Sequence, residues 1–112
     1  KNKNFQTWQV IFKSNFCGTI TLRYPKLKPW ELEMAYAISP NFWRKGIFSN
    51  SSNLLFKYLK KKKVGHIFCK VRIDNLPSLN ALFKKKFKII KTKKNKKIKN
   101  NFYFVYLLKK DL

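Results

Sequence analysis

Ser39-Pro40-Asn41-Phe42-Trp43-Arg44-Lys45-Gly46-Ile47-Phe48-Ser49 is the stretch on which the fold turns. Before it, Leu32, Met34, Tyr36 and Ile38 alternate with Glu33, Ala35 and Ala37, which is the period of a strand. After it, Ile47, Ser51, Leu54, Leu55 and Tyr58 recur at helical spacing. They predict a helix over 47–61 whose lysine-rich C-terminal end suits its dipole. A strand that passes through a basic, glycine-containing loop into a helix gathers free backbone N–H groups and a positive helix end at one point. A phosphate sits well there. Two small residues, Ala35 and Ala37, follow Glu33 on its face of the strand and leave room for a ligand against it.

Working outward, residues 5–13 alternate, with Trp8, Val10 and Phe12 on one face. Asn15-Phe16-Cys17-Gly18 then reads as a turn into a second alternating run over 19–24, giving a hairpin. The proline-flanked stretch 25–29 reads as a loop. Val64-Gly65 ends the helix, and Ile67, Cys69, Val71 and Ile73 alternate with Phe68, Lys70 and Arg72 in a fourth strand that His66 opens. Asn75 caps a short helix with Leu76, Leu79, Leu82 and Phe83 as its inner face. Residues 87–91 and 102–108 read as a closing hairpin around a basic, solvated loop, 93–101. The order β-β-β-α-β-α-β-β, without repeat or linker, predicts an α/β fold and a single domain over 1–112.

The chain has 112 residues, 45% hydrophobic and 17% aromatic. That is enough apolar material for a modest core, which excludes disorder. No apolar run approaches the roughly 18 residues of a membrane span, and Lys1-Asn2-Lys3-Asn4 leads into alternating sequence without a signal-peptide core, so a cytoplasmic protein with no membrane association is expected. Cys17 and Cys69 lie far apart in strand-like sequence without metal-ligand spacing. They read as buried reduced thiols, and no metal site is expected. The net charge of +23 comes from twenty-seven basic residues, only three of them arginine. Such a field attracts polyanions, but lysine in place of arginine, with abundant Asn, Phe and Ile, matches an AT-rich coding bias. The charge predicts weak, non-specific nucleic-acid binding and names no function.

The order of elements resembles the GNAT superfamily of acyl-CoA-dependent N-acetyltransferases from its second strand onward. The family's phosphate loop follows Q/R-x-x-G-x-G/A, and the branch that acetylates ribosomal protein N-termini often carries P-x-x-W-G-K-G-Y-A. Pro40, Trp43, Lys45 and Gly46 coincide with that run, Asn75 and Ser78 give the family's Asn-x-x-Ser, and Phe87 stands where the family has Gly-Phe. The resemblance implies a GNAT-like mixed, mainly antiparallel sheet flanked by helices and lacking the first strand and the two helices that follow it. It implies acetyl-CoA as donor and an amine as acceptor, such as a protein N-terminus on a ribosomal protein.

By the same resemblance, the backbone N–H groups of Arg44, Lys45, Gly46, Ile47, Phe48 and Ser49 bind the pyrophosphate. The pantetheine arm pairs with the strand edge at Tyr36, Ala37 and Ile38. Asn75 hydrogen-bonds the pantetheine amide region, and an amide near Ile38 stabilises the oxyanion. Glu33 is the candidate base, directly or through water, and reads equally as an exposed strand carboxylate. Ser78 either protonates the departing thiolate or completes the helix N-terminus. A second branch uses a glutamate and a tyrosine where this chain has Lys70 and Leu82, so that mechanism is excluded. Phe48 stands where the loop normally has Gly or Ala, and Lys86 replaces the glycine before Phe87. A start at the family's second strand is what a fragment of a longer protein would show. Two other readings stay open: a basic nucleic-acid- or ribosome-binding protein on the same scaffold, and a degenerate inactive acetyltransferase.

Overall fold

The computed structural model describes residues 5–24, 32–96 and 102–112. The loop expected at 25–29, and the tip of the basic loop at 97–101, lie outside the described residues. Strands β1 (Phe5–Phe12), β2 (Asn15–Arg23), β3 (Leu32–Ile38), β4 (His66–Arg72), β5 (Lys88–Lys96) and β6 (Phe102–Asp111) form one sheet in the order β1-β2-β3-β4-β6-β5. Every neighbouring pair is antiparallel except β3 with β4. Helix α1 (Ile47–Lys61) supplies the crossover between those two parallel strands, and α2 (Leu76–Lys84) follows β4.

Alternation assigns the two faces of the sheet. Ile20, Leu22, Leu32, Met34, Ile67, Cys69 and Leu108 are buried against Leu55, Phe56 and Leu59 of α1 and Leu79 and Leu82 of α2 in one core. Both helices lie on this face: Phe56 of α1 meets Phe87 just after α2 at 6.2 Å between ring centroids, and Lys85 Nζ donates to Asn53 Oδ1 at 2.9 Å. The other face carries Thr21, Arg23, Glu33, Ala35, Ala37, Phe68, Lys70, Arg72 and Leu107. Among the described residues no helix covers it. Cys17 and Cys69 are both buried and free, as expected of reduced core thiols.

Several boundaries differ from the expectation. The first hairpin turns at Lys13 and Ser14, both at positive φ, so Asn15-Phe16-Cys17-Gly18 lies in β2 instead of forming the turn. Of the face expected for β1 only Val10 is buried, whereas Trp8 and Phe12 stay partly exposed on the edge strand. α1 buries Ile47, Ser52, Leu55, Phe56 and Leu59 and leaves Leu54 exposed. α2 buries only Leu79 and Leu82, with Leu76 and Phe83 exposed. Ile73 falls in the turn after β4. Residues 93–96, expected in a loop, continue β5 through the pairing of Lys93 with Val105 and Lys96 with Phe102.

Candidate active site

The sheet splits between β3 and β4. Among the described residues they pair only at Leu32 with Ile67 and at Glu33 with Phe68, and then part. A cleft of about 240 Å³ opens in the split, lined by Ala35, Tyr36, Cys69, Lys70, Val71, Arg72, Asn75 and Ser78. Since Tyr36 and Cys69 belong to the helix face and Ala35, Lys70 and Arg72 to the open face, the cleft passes through the sheet. The Ser39 amide donates to the Cys17 carbonyl at 2.7 Å, which extends the β2–β3 ladder by one pair. In an antiparallel ladder alternate residues face the partner, so Ala37 and Ala35 turn their backbone groups to β2, while Ile38 and Tyr36 turn theirs to the split. Gly18 lies opposite Ile38, and a Cβ built there would stand 2.0 Å from the Ala37 carbonyl oxygen. Only a glycine lets β2 approach that end of β3 so closely.

The loop after β3 begins with a 3-10 turn over Pro40–Phe42. Its Trp43 indole donates to the Ile38 carbonyl at 2.6 Å and so ties the loop to the end of β3. Arg44 and Gly46 both take left-handed backbone, with φ of 61° and 73°. Gly46 is the N-cap of α1, whose first turn carries neither a side-chain cap nor an acidic residue. The first helical bond of α1 runs from the Asn50 amide to the Gly46 carbonyl at 2.9 Å. The Ile47, Phe48 and Ser49 amides are therefore the unsatisfied donors of a helix start, with Arg44 and Lys45 just ahead of them. Phe48, at the family's small-residue position, is turned inward: it stacks on Tyr36 at 4.2 Å and packs against the core.

Tyr36 reaches from β3 to α2, where its hydroxyl meets Ser78 Oγ at 2.5 Å. Burial raises the Tyr36 pKa above its ordinary value, partly opposed by the bond to Ser78 and slightly reinforced by Cys69. Asn75 caps α2 by accepting from the Ser78 amide at 3.3 Å. The Ser78 amide thus takes the cap and its hydroxyl is engaged by tyrosine. Burial, with a smaller contribution from the Glu33 charge, pushes the Cys69 thiol up to about 12. It stays protonated at neutral pH and is no nucleophile.

Glu33 stands at the closed end of the split, on the open face, and does not line the cleft. Arg23 directs Nε and Nη2 to Glu33 Oε1, with the Nε contact at 3.2 Å, while Lys70 Nζ lies 3.9 Å from Oε2. Sequence reading passed over Arg23, Lys70 and Arg72 as members of this neighbourhood, and over the Tyr36 hydroxyl and Trp43 indole. Arg23, Lys70 and the Tyr36 hydroxyl have no local signal, because their partners come from other strands or from α2, whereas Arg72 with Asp74 and Trp43 with Ile38 are near in sequence. Gly18 did have one: a glycine inside an alternating run marks close backbone approach.

A free strand edge in a sheet split, beside a basic, glycine-started helix with open backbone donors, is an arrangement suited to an extended phosphorylated ligand. Residues 1–88 match the acetyltransferase (GNAT) domain model, and the chain belongs to that family. GNAT acetyltransferases use acetyl-CoA as acetyl donor, and the chain is an acyltransferase of this class. No curated protein matches the sequence. Solved structures share the fold at low identity. A GNAT acetyltransferase from Streptococcus pneumoniae is 16% identical with a TM-score of 0.82, over 99% of this chain and 68% of its own. The ribosomal-protein-S18-alanine N-acetyltransferase of Escherichia coli is 13% identical with a TM-score of 0.81, over 99% and 71%. The microcin C7 self-immunity acetyltransferase MccE, solved with acetyl-CoA and AMP, is 18% identical with a TM-score of 0.87, over 98% and 62%. The chain spans about two thirds of the length of these neighbours. Among the described residues no helix is long and apolar enough to cross a membrane.

Proposed function

We propose that the chain transfers an acetyl group from acetyl-CoA to a primary amine, by direct attack in the cleft between β3 and β4. The observation that carries this reading is the split itself, with the free amides of Ile47, Phe48 and Ser49 at one side and the backbone of Tyr36 and Ile38 along the edge. Arg44 and Lys45 add charge at the pyrophosphate, and Gly46 lets the backbone approach it. The Ile38 amide and the Tyr36 carbonyl pair with the pantetheine arm as a strand would, and Ala37 keeps that edge in place from the β2 side. Asn75 holds the arm's amide region from the start of α2.

Acetyl-CoA supplies a thioester carbonyl for the amine to attack. The Tyr36 amide, deeper in the split than Ile38 and beside Ser78, donates to the carbonyl oxygen as charge develops there. Glu33, outside the cleft and three strand residues, ~10 Å, from Tyr36, takes the amine's proton through a file of waters that ends at Oε2, the oxygen Lys70 Nζ approaches to 3.9 Å. Ser78 gives a proton to the departing thiolate and is resupplied by the Tyr36 hydroxyl beside it. Because Cys69 remains a thiol, no acyl-cysteine step is needed. A protein N-terminal amine, such as that of a ribosomal protein, is the finer reading. Its support is the Pro40, Trp43, Lys45 and Gly46 match and the presence of ribosomal-protein acetyltransferases among the similar folds.

Two measurements test this reading. Acetyl-CoA at 100 times its Kd should stabilise the fold by ~2.7 kcal/mol; Gly46→Val should abolish the shift, measured against the variant's own ligand-free melt, because a side chain at φ 73° costs ~1–2 kcal/mol although a Cβ there meets only Asn50 Nδ2 at 3.9 Å. Glu33→Gln should lower turnover by roughly 10²-fold while leaving acetyl-CoA affinity nearly intact. A melting curve that ignores saturating acetyl-CoA sinks the assignment. Equal losses of turnover and affinity in Glu33→Gln would make Glu33 structural.

A further inference from the structure

We infer that the acceptor is a peptide whose N-terminal amine is followed by acidic residues, read by Arg72 and Lys70 at the open-face mouth of the cleft. The inference rests on the acetyl-transfer reading and adds the class of acceptor. The donor's phosphates bind on the helix side, at the start of α1, and the cleft passes through the sheet, so the amine arrives from the open face. Directly paired strand residues share a face. Lys70 pairs with Leu107 and Leu107 with Lys91; Arg72 pairs with Val105 and Val105 with Lys93. Two cationic rows thus start at the cleft and run across β6 to β5, a width of about 10 Å at the ordinary strand spacing. That is more than a single carboxylate beside the amine would use, and it suits a short extended peptide.

Lysines cover the whole molecule and by themselves point nowhere. The arginines are different. Only three stand among the twenty-seven basic residues, Arg44 in the phosphate loop, Arg23 on Glu33 and Arg72 in the cleft wall. Arg72 is also held in place: Nε lies 3.4 Å and Nη2 3.5 Å from the Asp74 carboxylate, and the guanidinium sits 5.0 Å from the Tyr103 ring centroid. Asp74 engages one edge of the guanidinium, which leaves the remaining N–H donors for a second carboxylate. Beneath it Val105 is buried on the open face, outside the main core, so the platform is packed. At this mouth Lys70 already faces Glu33 Oε2 at 3.9 Å, so the open donors are those of Arg72; a basic acceptor meets these cations with like charge, and an acidic one pairs with Arg72.

The test compares pentapeptides with the same first residue followed by Asp and Glu, by Ser and Gly, or by Lys and Arg, together with free amino acids and acidic small amines. With acetyl-CoA saturating, the acidic peptide should have the highest kcat/KM, and Arg72→Ala should lower it by about tenfold, the scale of one charge-assisted hydrogen bond. The loss should fall on the peptide's KM and spare acetyl-CoA binding. Lys57→Ala, which removes one charge from the exposed side of α1, should change neither. Equal or better use of basic or neutral peptides overturns the inference, as does a small acidic amine that outperforms the peptide. If no acceptor is acetylated although acetyl-CoA shifts the melt, equilibrium binding of the acidic peptide to the CoA complex decides. Binding lost in Arg72→Ala and kept in Lys57→Ala upholds the inference, and any other pattern overturns it. Failure of the acetyl-CoA shift itself counts against the transferase reading alone.

Discussion

Lys63 and Lys86 occupy backbone that suits glycine. Their φ angles are 63° and 72°, and each sits one residue past a helix C-cap. In both places the following residue bonds back: Val64 to the Leu59 carbonyl at 3.1 Å and Phe87 to the Leu82 carbonyl at 3.1 Å, while Lys63 bonds Lys60 and Lys86 bonds Phe83 at 3.0 Å. This paired pattern satisfies the last carbonyls and requires a left-handed residue, which a side chain disfavours by ~1–2 kcal/mol. The family's glycine before Phe87 has its physical reason here, and Lys86 is a departure that strains the turn without breaking it. Lys63→Gly and Lys86→Gly should each stabilise the fold by about 1 kcal/mol once the greater unfolded-state freedom of glycine is subtracted, and urea denaturation would show it. A lowered midpoint in both variants would mean that the lysine side chains make compensating contacts.

At the scale of the element, α1 was legible as a helix and misread in rotation. The stripe Ile47, Ser51, Leu54, Leu55 and Tyr58 has the right period, yet the buried set is Ile47, Ser52, Leu55, Phe56 and Leu59, turned by about one residue, or ~100°. Phe56 brings a ring into the core that the expected stripe left out, and Ser52 buries without penalty because its hydroxyl donates to the Ser49 carbonyl at 3.1 Å. Leu55→Ala should therefore cost about 2–5 kcal/mol, and Leu54→Ala, at an exposed position, within about 0.5 kcal/mol. Equal losses in thermal melts would restore the sequence-based stripe. The candidate site divides in the same way. The loop from Trp43 to Ser49 and the Asn75 cap depend on neighbours in sequence and could be read there. The Tyr36–Ser78 bond, the Gly18 approach and the Arg23–Glu33 pair depend on register between distant strands, which no local pattern encodes.

For the whole molecule the +23 charge sets the question of what is bound and how firmly. If the lysines reflect composition, nucleic acid is held only through release of counterions. Its affinity should then fall by roughly 10³-fold or more between 50 and 200 mM salt for an interface of six or more phosphates, without sequence preference. Acetyl-CoA meets a different surface. In the proposed site, amides at the start of α1 and the free edge of β3 would supply much of its binding, and hydrogen bonds from fixed backbone are screened far less than exposed charges. Over the same salt range its affinity should fall by less than about tenfold if the proposed site, with Arg44 and Lys45 as the charges at the pyrophosphate, is the one used. Titrating one preparation with a duplex, a single-stranded RNA and acetyl-CoA at both salts separates the two behaviours. RNA binding that persists at the higher salt while acetyl-CoA fails to shift the melt would make the basic surface the working part and the split sheet its scaffold.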